Sequence, residues 1–272
     1  MRTKRKKIAP YVILVVLAIL FALPLLWLFL CSFDLNGSSS LKWPTWTLQN
    51  YKEVIISDAN RRAFLNGLII SLFESIIVVL VAILASYPLS RYKLAYKKPL
   101  MNVILFMTAL PTTALMVPLY KYYRTLGLYD TTFGVIMFLS AAALPYAVWM
   151  MKNFMDAVPI NLEEAAKIDG ANTLGTLFKI ILPLMMPGVL TVFIYTFSQS
   201  WGNFFVPYIL LQSSDKMPAA VQLYQFFGSN GTIVYGELAA YSALYALPAI
   251  ILYVISQKWM SNGFALSGAD KG

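Results

Sequence analysis

Apolar residues in this chain come in long unbroken stretches rather than at helical or alternating spacing. Six stretches stand out, at 9–33, 64–90, 100–120, 132–151, 184–211 and 238–257. A helix that crosses hydrocarbon needs about 20 mostly apolar residues, and each stretch reaches that length. A lipid-spanning β-barrel would instead show alternating segments of about ten residues. The pattern predicts an all-α integral membrane protein with six transmembrane helices.

Composition sharpens this picture. Hydrophobic residues make up 59% of the 272 residues and charged ones 12%, against roughly a quarter charged in soluble domains. Lipid is therefore the solvent for much of the surface. The net charge of +9 comes from 21 basic residues set mainly at the ends of the apolar stretches. That is the pattern of membrane topology rather than of a phosphate-binding stripe, and no nucleic-acid partner is expected. The chain has no histidine and one cysteine, Cys31. No internal disulfide can form, and a metal site of the usual His and Cys ligands is out of reach.

Residues 1–8 form a basic tail before the first stretch. That stretch is too long for a signal peptide, shows no obvious small-x-small cleavage site and precedes five more spans, so an uncleaved anchor is expected. With the N-terminus inside, 14 of the 21 Lys and Arg residues fall in inside segments. The bias predicts both termini in the cytoplasm. Pro24, Pro88, Pro111, Pro118, Pro145, Pro207 and Pro248 interrupt the spans, where each removes a backbone donor and can kink its helix. Pro111 and Pro118 lie in one span beside Thr112 and Thr113, which points to a bent, cavity-lining segment.

The connection between the fourth and fifth spans is the most informative. Its sequence predicts a short helix, a sharp turn and a second helix. Pro159 suits a first helical position, and Glu163 and Glu164 fall where the helix dipole favours negative charge. Leu162, Ala165, Ala166 and Asp169 share a face by spacing. Gly170 can take the left-handed conformation that ends a helix. The small Ala165–Ala166 face would let a partner approach closely. An amphipathic helix lying on the membrane surface fits the spacing as well. Gly170 and Gly175 stand at the glycine spacing of a phosphate-binding loop, but Thr176 follows where that loop requires Lys, so the chain is not expected to cradle ATP itself.

The run Glu164-Ala165-Ala166, then Gly170, Ile180 and Leu182-Pro183, resembles the EAA signature of bacterial ABC importer permeases at every fixed position. The segments Asn66, 85–91, 118–120 and 126–131 also resemble that family. Trp201-Gly202-Asn203-Phe204 is a partial match, and the tail 268–272 is similar to that of maltose-type sugar permeases. The resemblance implies a type I ABC importer permease (MetI-like) fold. It implies a basic tail at 1–8, a first helix at 9–33, a five-helix core at 64–258 with an EAA coupling loop at 152–183, and a cytoplasmic tail at 259–272. It further implies a non-catalytic subunit in a bacterial cytoplasmic membrane. Such a subunit is paired with a second homologous permease and a cytoplasmic ATPase dimer that carries ATP and Mg, and is served by an external solute-binding protein that delivers a sugar. Glu163, Glu164, Ala165, Ala166, Asp169, Gly170 and Ala171 would then couple this chain to the ATPase.

Thr191, Tyr195, Ser198, Gln199 and Asn203 form a polar stripe on the fifth span. Polar groups in hydrocarbon turn toward another helix or a watery cavity. Tyr195, Gln199, Trp201 and Asn203 are suited to hydrogen-bond and stack on a sugar; helix-to-helix bonding explains the stripe equally. Glu74 lies inside the second span, where charge is expensive. With no Lys, Arg or His in the spans to pair with, it makes a poor proton relay. A stand-alone secondary transporter or channel is the alternative; it would show paired charges, a filter-like loop or inverted repeats.

Overall fold

The computed structural model describes residues 2–227 and 233–268. Residues 269–272 of the tail singled out above lie outside the described residues. Helices follow one another as α1 (Arg2–Ser32), α2 (Gln49–Ile56), α3 (Asp58–Arg91), α4 (Lys97–Thr108), α5 (Thr112–Thr125), α6 (Thr132–Asp156), α7 (Asn161–Ile168), α8 (Thr173–Thr176), α9 (Leu182–Leu184), α10 (Met186–Trp201), α11 (Phe205–Leu210), α12 (Ala219–Gln225) and α13 (Tyr235–Gly268). No strand occurs among the described residues.

Among the described residues, four helices are long and apolar enough to cross a membrane: Pro10–Ser32, Asp58–Arg91, Thr132–Asp156 and Tyr235–Gln257. Two bent pairs bring the number of spans to six if each pair counts as one. The third span breaks between α4 and α5 with a bend of 87°. Pro111 lacks an amide donor and disfavours helical geometry at Leu110, which explains the break. Pro118 sits inside α5 without ending it.

The fifth span departs from the continuous stretch expected at 184–211. The segment Thr173–Leu184 meets Met186–Trp201 at 80°, and Pro187 opens the new helix in its first turn. At 16 residues, α10 is about 24 Å long, short of the roughly 30 Å hydrocarbon core. Gly202 caps it, and the chain restarts as α11.

The chain divides into two compact units, one of residues 1–61 with 222–247 and one of residues 62–221 with 248–272. In the first, the Asn50 amide donates to the carbonyls of Ser32 and Asp34, both at 3.0 Å. The Asp34 carboxylate accepts from the Thr45 hydroxyl at 2.9 Å, pinning the segment that follows α1.

Two apolar clusters hold the second unit together. One joins Val78 and Ala82 of α3 to Ala147, Met151 and Met155 of α6 and to Leu177, Ile181 and Val192. The other joins Ile70 of α3 to Met116 and Tyr123 of α5, Val135 and Leu139 of α6, and Val206 and Leu210. Along α3, α6 and α10 the buried polar residues Ser71, Glu74, Ser75, Ser140, Thr196 and Ser200 fall between the two clusters. Glu74 is 1% exposed and accepts a hydrogen bond from the Ser75 hydroxyl at 3.1 Å. Gly188 lets α10 come close to α6, because a Cβ there would overlap the Phe154 side chain.

Candidate functional site

Between α6 and α10 the chain leaves the spans, builds α7 and returns. The Ile160 carbonyl accepts from the amides of Glu163 and Glu164 and so closes the first turn. Glu163 and Glu164 in the first turn and Lys167 in the last complement the helix dipole. Pro159 lies two residues before α7 rather than at its first position. At the other end the Gly170 amide donates to the Lys167 carbonyl at 3.1 Å and the Ala171 amide to the Ala166 carbonyl at 2.9 Å. Those two bonds, with Gly170 at φ +84°, make a Schellman motif. The return begins at Asn172, whose side-chain oxygen accepts from the Gly175 amide at 2.7 Å. A π-helical turn at Leu177–Ile181 follows and buries Leu177 and Ile181 in the first apolar cluster.

The two faces of α7 differ sharply. Glu163 and Ala166 are buried at 2% and 5%, whereas Leu162, Glu164, Ala165, Lys167, Asp169 and Gly170 are exposed, with Ile168 at 86%. Ala165 and Ala166, expected to form one small face, therefore point to opposite sides. Adjacent helical residues are about 100° apart, and here the boundary of burial falls between them. The outward surface is Leu162, Ala165, Ile168 and Asp169. The inward one is Glu163 and Ala166.

Glu163 does not reach outward, because Arg91 at the end of α3 holds it. The Arg91 Nε donates to one carboxylate oxygen of Glu163, and the Tyr87 hydroxyl donates to the other at 3.3 Å. Side-chain exposure is 6% for Arg91 and 3% for Glu163. Arg91 also donates through Nη2 to the Val158 carbonyl at 3.0 Å and through Nη1 to the Ser90 hydroxyl at 3.1 Å. Ser90 in turn donates to Asp156 at 2.5 Å, and Lys152 pairs with that same carboxylate. Removing one partner of a buried pair costs about 3–5 kcal/mol, because a charge is left unmatched in a dry site. No spacing signal links Arg91 to Glu163, which lie 72 residues apart.

The four residues expected along a solute path separate into two kinds. Tyr195 is half-buried and its ring lies 4.8 Å from that of Tyr146, which itself stacks on Trp149. Gln199 is exposed on the next turn of the helix, beside exposed Ser198. Trp201, in contrast, is 5% exposed and stacks on Phe197 at 6.1 Å, a packing role. Asn203 lies beyond α10, and its side-chain oxygen accepts from the Val206 amide in the first turn of α11 at 3.0 Å. Thr191 bonds back to the Pro187 carbonyl at 2.8 Å.

At the opposite ends of the spans, Asp130 gathers the segment after α11. Its carboxylate accepts from the amides of Gln212 and Ser213 at 2.9 and 3.0 Å, from the Ser213 hydroxyl and from the Lys216 ammonium at 3.0 Å. Burial pushes its carboxyl upward, but these donors outweigh burial and hold it well below the usual carboxylate range. Asp130 has φ 56°, a left-handed conformation that aspartate tolerates better than most residues. The Asn66 amide donates to the carbonyls of Asp215 and Met217 at 2.7 and 3.3 Å. Loops that alternate along the chain are thus tied in two sets. Segment 91–99 joins 152–163, and segment 126–131 joins 212–217.

Bent apolar spans, with an amphipathic helix on one of the loops between them, define a multi-spanning helical membrane protein. Residues 79–264 match the model of the family described as "Binding-protein-dependent transport system inner membrane component", and the chain belongs to that family. The trehalose transport system permease protein SugB of Mycobacterium tuberculosis is 32% identical over 256 residues, covering 92% of each chain. The maltodextrin transport system permease protein MdxG of Bacillus subtilis is 29% identical, covering 98% of this chain and 96% of its own. In fold, the chain is similar to a chain of a bacterial ABC transporter involved in the import of the acidic polysaccharide alginate. That match has a TM-score of 0.83 at 23% identity and covers 95% of this chain and 98% of the other.

Proposed function

We propose that the chain is one permease subunit of a binding-protein-dependent ABC importer for a carbohydrate, and that α7 is its docking helix on a separate ATPase. The observation that carries this reading is the two-sidedness of α7. Its outward face offers Leu162, Ala165 and the 86% exposed Ile168, while Glu163 and Ala166 hold the rear of the helix. An exposed apolar residue at the tip of a rigidly held helix suits insertion into a partner's cleft. Glu164, Asp169, Gly170 and Ala171 frame that tip. A second, related permease completes the path. An external solute-binding protein delivers the solute, and ATP with Mg is bound and hydrolysed on the ATPase rather than on this chain.

The trehalose and maltodextrin relatives support a sugar as the solute, as do the half-buried Tyr195 and the exposed Gln199 beside it. The excess of Lys and Arg in segments 1–8, 91–99 and 152–183 supports placing that side, and both termini, in the cytoplasm.

The test is to isolate the tagged chain from membranes with a single cysteine placed at Ile168, Cys31 having been replaced by serine. The cysteine should cross-link to a copurifying ATPase, and mass spectrometry of the solute bound to the whole assembly should find a carbohydrate. A chain that transports alone, with no ATPase bound, would establish the stand-alone transporter instead.

A further inference from the structure

The chain joins α7 to α6 on one side and, through α8 and α9, to α10 on the other. The side chains join it to a third element. The Arg91–Glu163 contact at the end of α3 is the most buried ion pair among the described residues, at 6% and 3% exposure. By comparison, the Asp58–Arg61 pair is 68% and 60% exposed, in the range where ion pairs contribute little.

The geometry of Arg91 is that of a fastening. A guanidinium is a planar fork with fixed donor directions. Nε is committed to Glu163 on α7, Nη2 to the Val158 carbonyl in the strap before α7, and Nη1 to Ser90 on its own helix. Tyr87, one turn earlier on α3, closes the other Glu163 oxygen. Ser90 reaches Asp156, the last residue of α6. The two final turns of α3 therefore hold the end of α6, the strap and α7 by polar contacts that differ in direction. Rotation of α7 relative to α3 would break the two contacts to Glu163.

We propose that Arg91 and Glu163 are positioning residues that make α3 move with the docking helix, so that the second span receives displacement of α7 directly. This rests on the reading of α7 as the ATPase-docking helix. Glu163 acts through Arg91 rather than on the partner, because its carboxylate faces inward and both its oxygens are bonded.

The experiment uses the complete transporter in proteoliposomes with Arg91→Lys, Glu163→Gln and the charge exchange Arg91→Glu with Glu163→Arg. ATPase retention, solute moved per ATP, and the distance between spin labels at Lys93→Cys and Lys167→Cys (in a Cys31→Ser background) are read with and without ATP. In the parent protein the label distance stays the same in both states. Glu163→Gln keeps the ATPase bound, lets the distance spread in the ATP state, and lowers solute moved per ATP by about 2- to 30-fold, the range over which substitutions in coupled networks act. Arg91→Lys keeps the charge but loses the fork, and gives a smaller loss. The charge exchange recovers part of the coupling. Should Glu163→Gln fail to assemble, Arg91→Lys and the exchange carry the same comparison. Full coupling and an unchanged distance in Arg91→Lys, or in Glu163→Gln, would overturn the proposal. Failure of the parent chain to retain an ATPase would count against the docking reading instead.

Discussion

Replacing Gly170 offers a graded test of the turn that ends α7. Its φ is +84°, and an added Cβ would meet nothing within 4 Å. The penalty of a side chain is therefore conformational and not steric. Alanine should cost about 1 kcal/mol. Valine, branched at Cβ, should cost about 2 kcal/mol, within the range for strained backbone positions. Asparagine visits the left-handed region more readily and should cost least, although it is larger than alanine. One or two kcal/mol shifts a two-state equilibrium by about 5- to 30-fold, here the closure of the turn by the Gly170 and Ala171 amides. The assay is hydrogen exchange at those two amides in the assembled transporter, beside solute moved per ATP hydrolysed. Protection and coupling should both fall in the order Gly, Asn, Ala, Val. Loss that follows side-chain size, with Asn worse than Ala, would show that bulk at the partner surface decides the outcome and that the backbone argument is wrong.

Three further predictions follow from burial and hydrogen bonding. Ala166→Leu overpacks a site that is 5% exposed, at about 1–3 kcal/mol, and should lower the melting temperature of the complex in detergent. Ala165→Leu should leave melting unchanged and weaken ATPase retention; equal effects of the two would refute the two-faced helix. Asn203→Ala removes the hydrogen bond to the Val206 amide in the first turn of α11, worth about 1 kcal/mol, and should lower the melting temperature without changing the solute concentration for half-maximal uptake. Gln199→Ala should do the reverse, and a melting loss there would make Gln199 a structural contact. The Asp130 carboxyl is held below its ordinary value, so its contribution is complete above its unfolded value of about 4 and is lost only as pH falls through the lower folded one. Exchange protection of the Gln212 and Ser213 amides, corrected for intrinsic rate, should be flat from about pH 8 to 5. Asp130→Asn should lower it throughout, and a decline in the parent protein between pH 7 and 5 would contradict the assignment.

The spans were legible because continuous apolar stretches need no tertiary information, and the break before Pro111 was legible because proline acts on its own neighbours. The sharp bend at Met185 was not. It follows the short α9 (Leu182–Leu184) after the π turn at Leu177–Ile181, with Pro187 in the first turn of the next helix. In the loop, the turn at Gly170 could be read from one residue. The division between Ala165 and Ala166 could not, since spacing defines a face without saying which side is covered. Trp201 and Asn203 were of the right chemical kinds for a sugar, yet their contacts are with Phe197 and the Val206 amide. Residue type gives capacity, and the neighbours decide its use. The contact between Arg91 and Glu163, across 72 residues, left no local trace.

That separation has a consequence for how the chain is made. While the ribosome is still delivering the third and fourth spans, Glu163 has not been synthesised, and Arg91 is a bare cation in a nine-residue segment with Lys93, Lys97 and Lys98. With this loop on the cytoplasmic side, as proposed above, an unneutralised charge at that moment would keep it from being translocated. Once Glu163 emerges, the same guanidinium is withdrawn from water and its charge is cancelled. In that topology Arg91 would serve first as a topogenic signal during insertion and then as the buried partner of Glu163 in the finished protein. The order of synthesis keeps the two uses from competing.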